Sequence, residues 1–478
     1  MIDLQPFYAP RSIAVVGAGE RATSSGGAVM QMLLRAGFKG RLEPINPKGG
    51  TVFGLAAHTS LRALAAPVDL VVISIRPDAI LEAVNEAAAT GHRHLLILPG
   101  GFAEAGAEGL ARHHALMEVI RQRDIVVAGP NCAGLIHLTP EGGIAPSFLR
   151  DLPAGRAAGQ QGVALISQSG AIAEEVIAAS HRLALPVTTV VSIGNAVQIG
   201  VEDHLAHLGR DDSIAAVILY LESLDDPAAF RRIARQVAAV KPVVALVGGR
   251  TAAGAAAATA HTGAVANDAS TIQAFLTDCG LVGVDSLADL LLAAKAFARY
   301  PSGAGQRVVI ISNSGGPGVL AADAAVRAGL SLPPLPSSMV ARLRAALPAE
   351  AAIANPVDLL ADAREDRFGA ALAAALEEAD AFDQILLFHT APFMVEAGPV
   401  VDCLAERAAT ATRPVFHAMA GTLTDGPAWF QQLEAAGIAM SRDPEAMARM
   451  AGLLAAYPPL QAHAARNPDT AIHLKGRR

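Results

Sequence analysis

Short, almost wholly apolar runs recur along this chain, each followed by a turn and a longer Ala/Leu-rich stretch, and this alternation constrains the fold most. The runs at 12–16, 41–45, 70–75, 94–98 and 124–128 are five or six residues long. Strands of that kind are buried on both faces, as parallel strands are when helices cover them. Between them the stretch 79–90 carries a helical pattern. Alternating strands and helices in this order predict a doubly wound α/β sheet. The pattern starts again after the polar, Gly-rich stretch 151–161, with runs at 162–166, 188–192, 215–220 and 242–247. It starts a third time after 301–306, with runs at 307–311, 384–388 and 414–417. Three open α/β sheets are therefore expected, with boundaries near 151–161 and 301–306. Such sheets take ligands at the carboxyl ends of their strands.

Composition narrows the function. The chain has 478 residues, 52% hydrophobic and 17% charged, far from a disordered composition. The net charge is -7 and no basic cluster stands out, which argues against a nucleic-acid groove. The basic end, Lys475 to Arg478, reads as a frayed tail. Cys132, Cys279 and Cys403 form no C-x-x-C pair, so neither a zinc knuckle nor a disulfide framework is indicated. No apolar run reaches the roughly 18 residues that span a bilayer. The chain opens on Met1-Ile2-Asp3 and a strand, without a visible leader, so a soluble cytoplasmic protein is expected.

The first strand runs into Gly17-Ala18-Gly19-Glu20-Arg21-Ala22, then Thr23-Ser24-Ser25-Gly26 and a helix. Glycines admit a phosphate close to the backbone, and the helix N-terminus adds partial positive charge. Read literally, G-x-G-x-x-A after a strand is a dinucleotide fingerprint. The second strand ends in Asn46-Pro47-Lys48-Gly49. Dinucleotide folds that hold NAD place an acidic residue there. A lysine favours a ligand with an extra phosphate, and both NADP and coenzyme A qualify.

Six further segments carry a resemblance. Phe7 to Ala18 with Asn46-Pro47-Lys48, Gly129-Pro130-Asn131-Cys132-Ala133-Gly134, Ser167-Gln168-Ser169-Gly170, Ala260-His261-Thr262-Gly263, Asn313-Ser314-Gly315-Gly316-Pro317-Gly318 and Asn355-Pro356-Val357-Asp358-Leu359 stand in order along the chain. Together they resemble the nucleoside-diphosphate-forming acyl-CoA synthetases, in particular the alpha subunits of ADP-forming acetate–CoA ligase and of succinyl-CoA synthetase. The resemblance implies a Rossmann-like CoA-binding domain at 1–150, flavodoxin-like ligase domains at 155–300 and 305–463, and a tail at 464–478. It implies a separate ATP-grasp beta subunit in a hetero-oligomer, which would hold ATP or ADP and Mg²⁺. It also implies a small carboxylic acid or its acyl-CoA as substrate.

The resemblance assigns roles residue by residue. His261 would carry a phosphoryl group, a task that suits a neutral imidazole nitrogen. Glu222, at the end of the run 215–220, would orient that ring as an acidic residue does in a catalytic triad. Ser167, Gln168, Ser169 and Gly170, and Asn313, Ser314, Gly315, Gly316 and Gly318, would offer two helix N-termini to the phosphohistidine. Coenzyme A would lie on Gly17, Ala18, Thr23, Ser24, Ser25, Gly26, Lys48, Ser74, Pro77, Pro99 and Gly100. Asn131 would shape the thioester end, and Asn195 would lie near the acyl group. Two departures stand out. The family's K-x-G-R is here Val247-Gly248-Gly249-Arg250, and its H-T-G-S-L-A-G is here His261-Thr262-Gly263-Ala264-Val265-Ala266-Asn267. The competing readings are an NAD(P)-dependent oxidoreductase, a CoA-binding regulatory protein without catalysis, and a CoA transferase-like activity without nucleotide.

Overall fold

The structure, a computed structural model, describes residues 2–21, 23–254, 256, 268–391 and 394–466. The chain forms two compact units, one built on the residues up to Asp285 and the other running Ser286–His463. Among the described residues no helix is long and apolar enough to cross a membrane.

The first unit holds two large sheets. In the first, the order is Arg41–Ile45, Ser12–Val16, Leu70–Ile73, His94–Ile97, Val126–Ala128, and every pair is parallel. Alternate residues feed opposite cores: Ile13, Val15, Leu70 and Val72 join one buried cluster, whereas Ala14, Val71 and Ile73 join another. Burial on both faces explains why these runs show no polar alternation. A short helix, Gln5–Tyr8, precedes the first strand, where the sequence led us to expect a strand from the start. Pro6 suits its first turn. Its Tyr8 is buried, hydrogen-bonds His204 Nδ1 at 2.9 Å through its hydroxyl, and stacks on His207 at 4.1 Å.

The second sheet has seven strands, in the order Val282–Val284, Val243–Val247, Ile214–Leu221, Gly162–Ser167, Val187–Ser192, Gly134–Thr139, Gly142–Ile144. The first five run parallel. The last two form an antiparallel hairpin, and Gly134–Thr139 pairs antiparallel with Val187–Ser192. This hairpin comes from the segment that also builds the first sheet. Its glycines and its polar His137 and Thr139 hide it from a search for apolar runs; His137 Nδ1 pairs with Thr189 Oγ1 at 2.9 Å.

In the unit Ser286–His463 the order is Val357–Asp358, Val308–Ser312, Gln384–Ala391, Val415–Gly421, Ala439–Ser441, again all parallel. The helix Leu287–Arg299 belongs to this unit, and the polar turn at 301–306 lies inside it. Lys295 pairs with Glu434, and Tyr300 Oη donates to Gly437 O at 2.6 Å while accepting from Val415 N at 3.0 Å. All three sheets thus repeat one arrangement among their parallel strands: the first is flanked by the second on one side and the third on the other.

One feature of the last core is unusual. His389 and His417 sit on adjacent strands, wholly buried, with rings 6.2 Å apart and 3° from parallel. They lie on the strand face that also presents Ile385, Leu387, Val415 and Met419, and Phe368 packs on His389 at 4.9 Å. No ring nitrogen of either has a hydrogen-bond partner among the described residues. Burial pushes His389 down to about 4 and His417 well below its ordinary value, so both are neutral at physiological pH.

Candidate functional site

The strand order of the first sheet reverses beside Ser12–Val16, so the chain diverges from the carboxyl ends of Ser12–Val16 and Leu70–Ile73. A cavity of about 960 Å³ opens there. Sequence makes this crevice through two close backbone approaches. Gly17 has φ of +91°, and a Cβ on it would meet Ser74 O at 2.3 Å. A Cβ on Gly26 would meet Gly17 O at 2.0 Å, so the helix Ser25–Arg35 can start against the turn only as glycine. Ser24 caps that helix by accepting from Gly27 N at 3.2 Å. Ser74 Oγ donates to Ser25 Oγ at 2.7 Å, and Asn46 Nδ2 donates to Ala18 O at 2.9 Å, which ties the turn to two neighbouring strands.

Of the residues expected to hold coenzyme A, Gly17, Ser24, Ser25, Gly26, Ser74, Pro99, Gly100 and Asn131 line this cavity. Ala18, Thr23, Lys48 and Pro77 do not line it. Ala18 is buried, Thr23 and Lys48 are exposed, and Pro77 opens the helix Pro77–Ala89 and backs Gly101. Three arginines that the sequence reading passed over, Arg21, Arg76 and Arg150, also line it. With the helix N-terminus they make the crevice a place for a polyanion. They were invisible because they come from three separate loops with no shared motif.

The far wall is built from Pro99–Gly100, Asn131, and the start of the helix Gly170–Arg182. Asn131 follows the cis peptide Gly129–Pro130 and itself has φ of +58°. Its Nδ2 donates to Asn195 Oδ1 at 3.1 Å, and Asn195 Nδ2 donates to Glu104 Oε2 at 2.5 Å. Asn195 is thus brought to Asn131, through Gly194, whose Cβ would strike Pro130 O at 2.2 Å. Glu104 was missed by sequence reasoning, since a single acidic residue in a loop carries no pattern. Burial opposes its charge, but hydrogen bonds from Asn195 and from backbone amides outweigh that and hold its pKa below the ordinary value. Cys132 lines the same wall, but burial pushes its thiol up to about 12, which removes it as a nucleophile.

At the reversal point of the second sheet, Ser167 Oγ donates to Ser169 O at 2.7 Å and accepts from Ser169 N at 3.1 Å. Gln168 reaches across to the neighbouring strand end: its Oε1 accepts from Glu222 N and Ser223 N, and its Nε2 donates to Ser223 O at 2.9 Å. The loop and Glu222 are therefore held together. Tyr220 is raised by burial and by the nearby Glu222 carboxylate. Gly170 reaches the cavity of the first sheet. His261 lies outside the described residues, as do all of residues 257–267.

The unit Ser286–His463 repeats the device. Ser312 Oγ donates to Ser314 O at 2.7 Å, and Asn313 spans to the next strand, donating to Thr390 O and accepting from Thr390 N, both at 2.9 Å. Gly315, Gly316 and Gly318 open the helix Gly315–Arg327, and a Cβ on Gly316 would meet nothing. Among the described residues no group of three or more His, Cys, Asp or Glu side chains could hold a metal ion.

Three family models match successive parts of the chain. Residues 11–138 match the CoA binding domain, residues 160–297 the succinyl-CoA ligase like flavodoxin domain, and residues 308–438 the ligase-CoA domain. Acetate–CoA ligase [ADP-forming] II subunit alpha of Pyrococcus furiosus is 31% identical over 365 residues, which cover 76% of this chain and 78% of that one. Acetate–CoA ligase [ADP-forming] I of Archaeoglobus fulgidus is 32% identical over 388 residues, 81% of this chain and 55% of the relative. The chain thus spans about half the length of the latter. A solved structure of the dinucleotide forming acetyl-coenzyme A synthetase 1 of Ca. Korarchaeum cryptofilum, in complex with phosphate and ADP, superposes with a TM-score of 0.90 at 26% identity, covering 98% of this chain and 99% of that one.

Proposed function

The chain belongs to the family of ADP-forming acetate–CoA ligase alpha subunits, and we propose that it works as the acyl-transferring and phosphoryl-carrying part of such a ligase. The observation that carries the reading is the crevice where the first sheet reverses. Glycines bring backbone amides to its surface, a helix N-terminus faces it, and Arg21, Arg76 and Arg150 line it. Coenzyme A carries a diphosphate and a 3′-phosphate, and a volume of about 960 Å³ admits a ligand of that size. The phosphates lie at Gly17, Ser24 to Gly26 and the arginines, and the pantetheine arm runs toward Asn131.

The chemistry follows in three balanced steps. A phosphate oxygen attacks the thioester carbonyl, the C–S bond breaks, and CoA leaves as thiolate and takes a proton. A ring nitrogen of His261 then attacks the phosphorus of the acyl phosphate, and the carboxylate leaves. Last, a β-phosphate oxygen of ADP attacks the same phosphorus and the N–P bond breaks, giving ATP and free imidazole. Glu222 accepts from the ring N–H and orients it; the hold of Gln168 on the backbone of Glu222 and Ser223 supports that role. The loops at 167–170 and 313–318 each offer a helix N-terminus to a phosphoryl group. An ATP-grasp beta subunit supplies the nucleotide and its Mg²⁺, the acid is a small carboxylate, and the complex works in the cytoplasm.

The test is to incubate the chain with acetyl-CoA and inorganic phosphate and locate acid-labile phosphate by mass spectrometry. Label on His261, lost in His261→Ala while CoA still protects that variant against heat, is the expected result. Label elsewhere, or none with CoA bound, refutes the role of His261. NADP protecting the chain where CoA does not would replace the reading with an oxidoreductase.

A further inference from the structure

Glu104 folds back over the Pro99-Gly100-Gly101 turn. Its Oε1 accepts from Gly101 N at 2.5 Å and Phe102 N at 3.1 Å, and its Oε2 accepts from Asn195 Nδ2 at 2.5 Å. An ionised carboxylate can only accept. Asn195 must therefore turn its NH₂ toward Glu104 and its Oδ1 away, where it meets Asn131 Nδ2 at 3.1 Å. That fixes Asn131 in turn. Its remaining polar atom, Oδ1, stands over Gly100, where an added Cβ would come within 2.8 Å, on the cavity wall. The structure gives that oxygen no partner among the described residues.

We infer that Glu104 is a positioning residue that sets the amide polarity of Asn195 and Asn131, so that the cavity presents a hydrogen-bond acceptor selecting an N–H of the pantetheine arm. The inference rests on reading the cavity as the CoA crevice. It makes the wall discriminating: a ligand group with only lone pairs is repelled by Asn131 Oδ1, whereas an amide N–H is held in line with the thioester beyond it.

Replacing the anchor by its isostere reverses the chain. In Glu104→Gln the side-chain oxygen still takes the Gly101 and Phe102 amides, but its NH₂ now faces Asn195. Asn195 then flips, Asn131 flips after it, and the cavity is offered a donor. Asn131→Asp in the same background restores an acceptor at the wall, because Asn195 now donates to the new carboxylate. Asn131→Asp alone sets that carboxylate against Asn195 Oδ1.

Titration calorimetry of the full chain with CoA, and with adenosine 3′,5′-bisphosphate as a probe lacking the pantetheine arm, tests this. Glu104→Gln is expected to weaken CoA about tenfold, the loss of one well-placed hydrogen bond, with bisphosphate affinity and melting temperature unchanged. Asn131→Asp alone weakens CoA as well, and the double variant regains most of the wild-type affinity. Unchanged CoA affinity in Glu104→Gln, or a loss that the second substitution does not restore, overturns the inference while leaving the crevice assignment standing. Absence of CoA binding by the wild-type chain sinks the crevice assignment, and the inference with it.

Discussion

The neutral histidine pair of the last sheet makes the unit Ser286–His463 acid-sensitive in a calculable way. A histidine whose folded pKa lies below its unfolded value binds a proton more readily in the unfolded chain. Stability is then complete above the unfolded pKa and falls as pH drops from it toward the folded value. For His389 that window runs from 6.5 to about 4. Each pH unit within it removes about 1.4 kcal/mol, so lowering the pH to about 5 takes about 2 kcal/mol from His389. His417, lowered by burial and by His389, acts in the same direction. The perturbation is His389→Leu with His417→Leu, which keeps the apolar face and removes four unpaired nitrogens. The variant should be more stable than wild type near neutral pH, by on the order of 1–3 kcal/mol for each buried unpaired group relieved. The gap should widen by at least about 2 kcal/mol between about pH 7.5 and about pH 5. Urea unfolding followed by fluorescence reads this unit directly, because the single tryptophan, Trp429, stands on its helix Gly426–Ala435. Comparing variant with wild type at each pH cancels His204 and His207 of the other unit, lowered by burial to about 3 and about 4. A gap that stays constant across pH, or a variant less stable at neutral pH, would show that the imidazoles are paired or protonated in the folded protein.

Other outcomes follow from the crevice and the loops. Arg21→Ala, Arg76→Ala and Arg150→Ala should each weaken CoA about tenfold, less so at high salt, as calorimetry at two ionic strengths reads; a salt-independent loss would point to a packing role. Gly26→Ala drives a methyl into Gly17 O, and should cost about 3 kcal/mol of stability along with CoA binding; a normal melting temperature would refute the close approach. Asn313→Ala removes both bonds to Thr390 and should lower the stability of its unit by about 1–3 kcal/mol in the Trp429 assay.

The parts legible in sequence were those in which one physical constraint dominates a short stretch. Runs such as Ile13-Ala14-Val15 are apolar because both faces are covered, so the central strands of all three sheets could be read from them. Gly17 and Gly26 announced a turn that no other residue fits. Ser167-Gln168-Ser169-Gly170 and Asn313 to Gly318 proved to share one hydrogen-bonding device, although only their glycines and serines signalled it. What stayed hidden depends on residues far apart in sequence. Glu104, Asn131 and Asn195 form one chain of amides only after two sheets are in place. The short strands Val282–Val284 and Ala439–Ser441 are too brief to show a pattern. The hairpin at 134–144 pairs on one edge with covered apolar strands while keeping polar residues of its own. The helix Leu287–Arg299 reads equally well at the end of one segment or the start of the next, and only its packing against Gly437 and Glu434 decides.

That hairpin also limits where the polypeptide can be divided. A gene cut at residue 150 would leave its two strands attached to a sheet that does not pair with them. It would also strip Val187–Ser192 of a neighbour, baring a row of amides and carbonyls to whatever strand happens to pass. A cut before Gly134 fares no better, since Asn131 would then be severed from the Asn195 it answers to. The first two sheets therefore hold together as one folded piece, and the two compact units divide the chain near Asp285.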